Sequence, residues 1–196
     1  MKRMIAALAA VMLAVTPMTG CRKERINDKP TADSVSDEER ISEDCQKAYR
    51  QMFAANYAYD GGEVCYEYMF PKIVVNELRR SGRYDDLIST FNDSQRMFVQ
   101  NIQNIPQINE ITEQKELTDS QLTAASNYFV KSAAEFVSVG LDPAGINITS
   151  GYELRSSITD QNGNADTDTE CLVYIEDDGW KVISMSAEKL EARYKE

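Results

Sequence analysis

Histidine is absent from the 196 residues of this chain. That absence removes histidine general bases, Ser-His-Asp and Cys-His nucleophile systems, and imidazole-ligated metals together. Positive charge is scarce as well: 21 lysines and arginines stand against 32 acids, for a net charge of −11. A surface of that sign excludes nucleic acid, whose phosphates need a basic stripe, and excludes attachment to anionic lipid by charge alone. Long apolar runs are missing too. Residues 5–15 form an uncharged apolar stretch of eleven, against the roughly 20 that a membrane-spanning helix needs. No two cysteines stand in C-x-x-C spacing, which removes zinc ribbons and thioredoxin-type redox sites. What remains is a chain 42% hydrophobic and 27% charged, enough apolar residues to fill the core of one globular domain.

The first twenty residues read as a leader. Lys2 and Arg3 precede the apolar stretch, small residues follow it, and the segment runs into Met18-Thr19-Gly20-Cys21. This is the order of a secretory signal peptide. Its end resembles a bacterial lipobox, with Gly20 and Cys21 matching and Met18 standing where leucine is usual. The resemblance implies cleavage before Cys21 and diacylglyceryl modification of its thiol; the alternative is ordinary secretion with Cys21 a plain thiol. Cleavage removes two positive charges and no acid, so −11 becomes −13 for the mature chain. Residues 21–35 are polar and nearly free of large apolar side chains, so they cannot bury enough surface to offset chain entropy and read as a tether. Buried acyl chains contribute about 0.8 kcal/mol per methylene. The expected location is therefore the extracytoplasmic face of the cell membrane, held by the lipid anchor.

Residues 36–186 carry the periodicity of a folded domain. Ser36 and Glu39 stand in capping-box relation, and Ile41, Cys45, Ala48, Tyr49, Met52 and Phe53 recur at helical spacing, one apolar face of a helix running to about Tyr57 before Gly61-Gly62 breaks it. An aromatic-rich segment ends at Pro71, a helix continues to Arg80, and a long helix runs over residues 83–104 with Tyr84, Leu87, Ile88, Phe91, Phe98 and Ile102 as its apolar face. Residues 105–117 mix apolar and polar side chains without a helical period and contain Pro106, which fits an edge strand. Thr118 or Asp119 caps the next helix, whose face is Leu122, Ala125, Phe129, Ala133, Phe136 and Val137. Three strands close the domain. Ile146, Ile148, Tyr152, Leu154 and Ile158 share one parity, and Asn162-Gly163 and Asp178-Gly179 mark turns. Residues 187–196 are a charged terminal helix or tail.

The fold class is α+β: three N-terminal helices, then a strand, a helix and a three-strand meander. With Glu116-Leu117-Thr118-Asp119, Gly151-Tyr152-Glu153-Leu154 and Asp178-Gly179-Trp180-Lys181-Val182-Ile183, it resembles the nuclear transport factor two-like superfamily, in which a curved antiparallel sheet wraps on helices as a cone. These segments are similar to those of single-domain bacterial lipoproteins. The resemblance implies a pocket inside the cone, with Tyr66, Tyr128 and Tyr152 as candidate lining residues beside Tyr68. Its enzymes, ketosteroid isomerases among them, use an aspartate base, and no aspartate here aligns to that position, so no catalytic residue is assigned.

Other features carry plainer readings. The run from Asp160 to Asp168 has oxygen ligands at alternate positions, but Ala165 and Cys171 replace the glycine and glutamate of a calcium loop, so it reads as a turn. Cys45, Cys65 and Cys171 read as small buried hydrophobes, with a Cys45–Cys65 disulfide as the alternative. Trp180, the single tryptophan, reads as a core anchor. The expected function is a non-enzymatic binding or accessory domain that takes a small apolar ligand, a peptide or an envelope protein through the mouth of the cone, without cofactor or metal. The alternative is a histidine-free isomerase or lyase of the ketosteroid-isomerase type acting on a small apolar substrate.

Overall fold

The computed structural model describes residues 37–101 and 105–195. The leader, Cys21, the tether, Ser36 of the capping box and Ile102 lie outside the described residues. In chain order come α1 (Asp37–Asn56), α2 (Gly62–Met69), α3 (Lys72–Arg80), α4 (Tyr84–Asn101), β1 (Gln107–Glu116), α5 (Asp119–Phe136), β2 (Ile148–Thr159), β3 (Ala165–Ile175), β4 (Gly179–Ile183) and α6 (Ala187–Tyr194). The class is α+β. Among the described residues four helices, not three, precede the first strand. Phe70 is extended, with φ −124° and ψ 143°, as the residue before a proline is biased to be, so Pro71 separates α2 from α3. Thr118 closes a capping box on α5: its hydroxyl accepts from the Gln121 amide, and the Gln121 side chain accepts from the Thr118 amide.

The four strands form one antiparallel sheet in the order β1-β2-β3-β4. Its centre is dry on both sides. In β3 the consecutive residues Cys171, Leu172 and Val173 are all fully buried, and because successive strand side chains point to opposite faces, both faces must be covered. Cys171 and Val173 join Ala125 and Phe129 of α5 and Leu190 of α6. Leu172 joins Leu154 and Val182 against Cys45, Tyr49 and Met52 of α1 and Cys65 of α2. A third cluster lies among α3, α4 and the end of α5, where Val74, Leu78, Tyr84 and Ile88 meet Ala133 and Val137.

Register shifts explain where the sequence pattern misleads. β1 slips against β2 between Ile108 and Glu110 and again between Ile111 and Glu113. Its half-buried residues are therefore Ile108, Ile111 and Gln114, a period of three that hides the strand's alternation. Another shift falls between Ile148 and Ser150. It divides a parity that looks continuous in sequence: Ile148 packs with the α5 and α6 cluster, whereas Tyr152 and Leu154 pack toward α1. Gly151 is so closely packed that a Cβ there would lie 2.9 Å from side-chain carbons of Leu117 and of Val173 on β3, and 3.0 Å from Leu122 of α5.

Two expected core residues face outward, Phe98 at 51% exposure and Phe136 at 71%. In α4 Tyr84 and Ile88 are buried as expected, and Val99 joins them. The segment after β4 is a helix that belongs to the core. Leu190 is fully buried, and Glu153 accepts from the Ala187 amide at 2.6 Å, placing a carboxylate at the α6 N-terminus where the helix dipole favours it.

Candidate functional site

The three tyrosines expected to share a pocket are not brought together. Tyr66, on α2, stacks edge-on against Tyr84 and Phe91 beside the α3–α4 cluster. Tyr128, on α5, packs against Phe129 and Tyr194 on the opposite side of the sheet from α1. Tyr152, on β2, lies 6.0 Å from the Trp180 ring in the α1 cluster. Burial raises the pKa of both Tyr66 and Tyr128 above the usual phenol value. Each tyrosine serves a different part of the core. The reason is topological: residues on α2, α5 and β2 converge only if one face of the sheet is the site, and here both faces are packed.

The structure instead presents an open groove of about 520 Å³ between α1, the α2–α3 junction and β4. Its floor is Trp180, whose ring lies 5.4 Å from that of Tyr174. Tyr68 stands opposite and donates a hydrogen bond to Gln51 of α1. Trp180 is thus half-buried against the α1 cluster with one flank in the groove, not the sealed core anchor read from sequence.

Charge around that aromatic floor is arranged by the turn into β4. Asp178 holds two elements at once: Oδ1 lies 2.6 Å from Lys181 Nζ, and Oδ2 accepts from the Lys72 amide at 2.6 Å, at the start of α3. Lys181 also donates to the Glu67 carbonyl at 2.8 Å. Burying an ion pair is costly unless its remaining donors and acceptors are used, and here they cross-link β4, α2 and α3. Asp177 at φ 61° and Gly179 at φ 92° give the turn its left-handed backbone, which glycine adopts without the Cβ clash. On the rim, Arg79 lies over the Tyr84 ring at 4.5 Å and 3.5 Å from Glu67. Lys47 and Lys72 complete the groove's cations. Lys181 was legible in one respect only: a lysine between Trp180 and Val182 interrupts an otherwise apolar strand.

A second polar cluster lies on the α1 face of the sheet. Tyr49, 1% exposed, donates to Asp168 Oδ2 at 3.0 Å and lies 2.5 Å from Ser156 Oγ. The phenol has one proton and it goes to Asp168, so Ser156 donates to the phenol oxygen. Two residues along β3, on the same face, burial and the neighbouring Asp168 charge push Glu170 up to about 7. A carboxyl group that titrates near neutrality can take or give a proton at physiological pH.

The remaining sequence features resolve simply. Cys45, Cys65 and Cys171 are buried free thiols, each pushed up to about 12 by burial. The Asp160 carboxylate accepts from the amides of Asn162 and Asn164, both at 2.9 Å, and from the Asn164 side chain at 2.8 Å, closing the turn read there. No helix among the described residues is long and apolar enough to cross a membrane. Compared with protein-family models, with curated proteins and with solved structures, the chain matches none of them.

Proposed function

We propose that this chain is a non-enzymatic ligand-binding domain held on the extracytoplasmic membrane face by a lipid on Cys21, and that its binding site is the groove over Trp180. The groove carries the proposal. With a volume of about 520 Å³, it combines an aromatic floor with a few fixed polar groups, the kind of lining usual for small-molecule sites. The anchor rests on the leader and on Gly20-Cys21. The likeness to the nuclear transport factor two-like superfamily belongs to the same proposal. A sheet wrapped as a cone around α1 is supported by the shifts in β1 and β2, because such irregularities bend strands.

Native mass spectrometry of the full-length protein from its host membranes tests both parts. A bound small molecule that is lost from a folded Trp180→Ala variant supports the groove. Absence of any bound species from the wild-type protein would reject it. Cys21→Ser should leave the chain soluble or unprocessed, and an unchanged membrane fraction of processed product would reject the anchor.

One observation favours the isomerase reading: Glu170, pushed up to about 7, stands near Asp168 and the Tyr49 hydroxyl. Against it, the Tyr49 proton is already committed to Asp168, so the phenol is not free to stabilise a developing enolate. Turnover of a 3-oxo-Δ5 steroid that Glu170→Gln abolishes would establish the enzyme in place of the binding domain.

A further inference from the structure

We infer that the groove over Trp180 takes a small anion, a carboxylate or its equivalent carried beside a flat apolar ring, with the anionic group on Lys181 and its neighbouring lysines and the ring on Trp180. The inference deepens the binding-domain reading and rests on it.

The donor inventory of Lys181 is the first support. An ammonium has three N–H donors. Two are used, one on Asp178 and one on the Glu67 carbonyl, and the residue is 5% exposed while lining the groove. A buried donor without an acceptor is costly, and a ligand oxygen entering beside Trp180 supplies one. Asp178 is already shared, since its second oxygen accepts from the Lys72 amide.

The second support is the charge left over at the rim. Asp178 is spent on Lys181, and Glu67 lies against Arg79. Lys47 and Lys72 have no ion-pair partner among the described residues, and Asp44 is the one acid of the groove outside those pairs. The groove therefore carries an excess of positive charge on a chain whose net charge is −11. That contrast also sets the size of the ligand. A local positive site draws in a small anion, while the surrounding acidic surface repels an extended polyanion or an anionic bilayer. The third support is the floor: Trp180 is half-buried and lines the groove, with the Tyr174 ring 5.4 Å away and tilted 69° to it.

Trp180 is the one tryptophan of the chain and reports on the site directly. The experiment titrates the full-length protein with 2-naphthoate and with its neutral isostere 2-naphthylmethanol, following tryptophan emission at two salt concentrations. The expected result is saturable quenching by 2-naphthoate, at least tenfold tighter than by the alcohol and weakened by salt. Lys47→Gln combined with Lys72→Gln should weaken the naphthoate about tenfold without altering the circular dichroism. The same loss is expected in Lys181→Met paired with Asp178→Asn, which removes both buried charges together. Equal binding of the alcohol and the naphthoate, unaffected by the lysine variants, would overturn the anion while leaving the groove as a binding site. Failure of both compounds to perturb Trp180 would overturn the inference and the groove together.

Discussion

Lys181 and Asp178 form an ion pair across the turn into β4, N to O 2.6 Å, with 6% and 10% of their side chains exposed. Removing one partner strands the other charge in a dry setting and also removes the acceptor of the Lys72 amide. Asp178→Ala should therefore cost about 3–5 kcal/mol, the range for breaking a buried pair. Asp178→Asn with Lys181→Met should cost clearly less, since no uncompensated charge remains. Urea unfolding of the three proteins measures both, and equal losses in the single and double variants would contradict the pairing.

Glu170 should make stability fall as pH rises from about 4.5 to about 7. Its carboxyl ionises near 4.5 when unfolded and near 7 when folded, so between those values the folded state binds more protons than the unfolded one. The linkage relation then gives a negative slope of stability against pH. The loss is on the order of 3 kcal/mol by pH 8, at about 1.36 kcal/mol per pKa unit. Glu170→Gln should flatten the difference between urea midpoints at pH 5 and pH 8. A variant that is less stable than wild type at pH 8 would refute the assignment.

Gly151→Ala tests the close approach of α5 to β2. The new methyl would sit 2.9 Å from Leu117 and Val173 side-chain carbons and 3.0 Å from Leu122, too near for van der Waals contact. Forcing a methyl into a packed core costs about 1–3 kcal/mol. An unchanged thermal midpoint would mean that α5 stands farther from the sheet.

Trp180 should be reached by iodide more readily than by caesium ion. Its ring opens onto a groove with Lys47, Lys72 and Arg79 on the rim, so the local field favours an anionic quencher although the whole chain is negative. Stern–Volmer slopes at low salt give the comparison, and a steeper slope for caesium would deny the cationic rim.

Much of the architecture is legible in the residues themselves. Thr118 and Gln121 announce α5, Asn162-Gly163 and Asp178-Gly179 announce the two hairpin turns, and the helical spacing of Cys45, Ala48, Tyr49 and Met52 gives the buried face of α1. The site is not legible in the same way. A register shift, such as that between Ile148 and Ser150, depends on the partner strand and leaves no mark in one strand's own pattern. The groove joins Lys47, Lys72 and Lys181, which lie far apart in sequence on three elements. Only the packing of α1 and α3 about β4 brings them to one place. Exposure of Phe98 and Phe136 has the same origin, since an apolar residue near the flank of a helical stripe turns inward only if a neighbour waits there.

The irregular ladder of β1 has a consequence for how copies of this protein meet. β1 is an outer strand of the sheet, and an outer strand with free backbone donors and acceptors invites pairing with the same strand of another molecule. Two slips in its register leave those donors unevenly spaced, and Glu110, Glu113 and Glu116 punctuate it. An approaching second copy meets mismatched hydrogen-bond positions and the carboxylates of Glu110, Glu113 and Glu116. The bends that carry Ile108 and Ile111 inward thus also guard the molecule against strand-to-strand aggregation when many copies share a small volume.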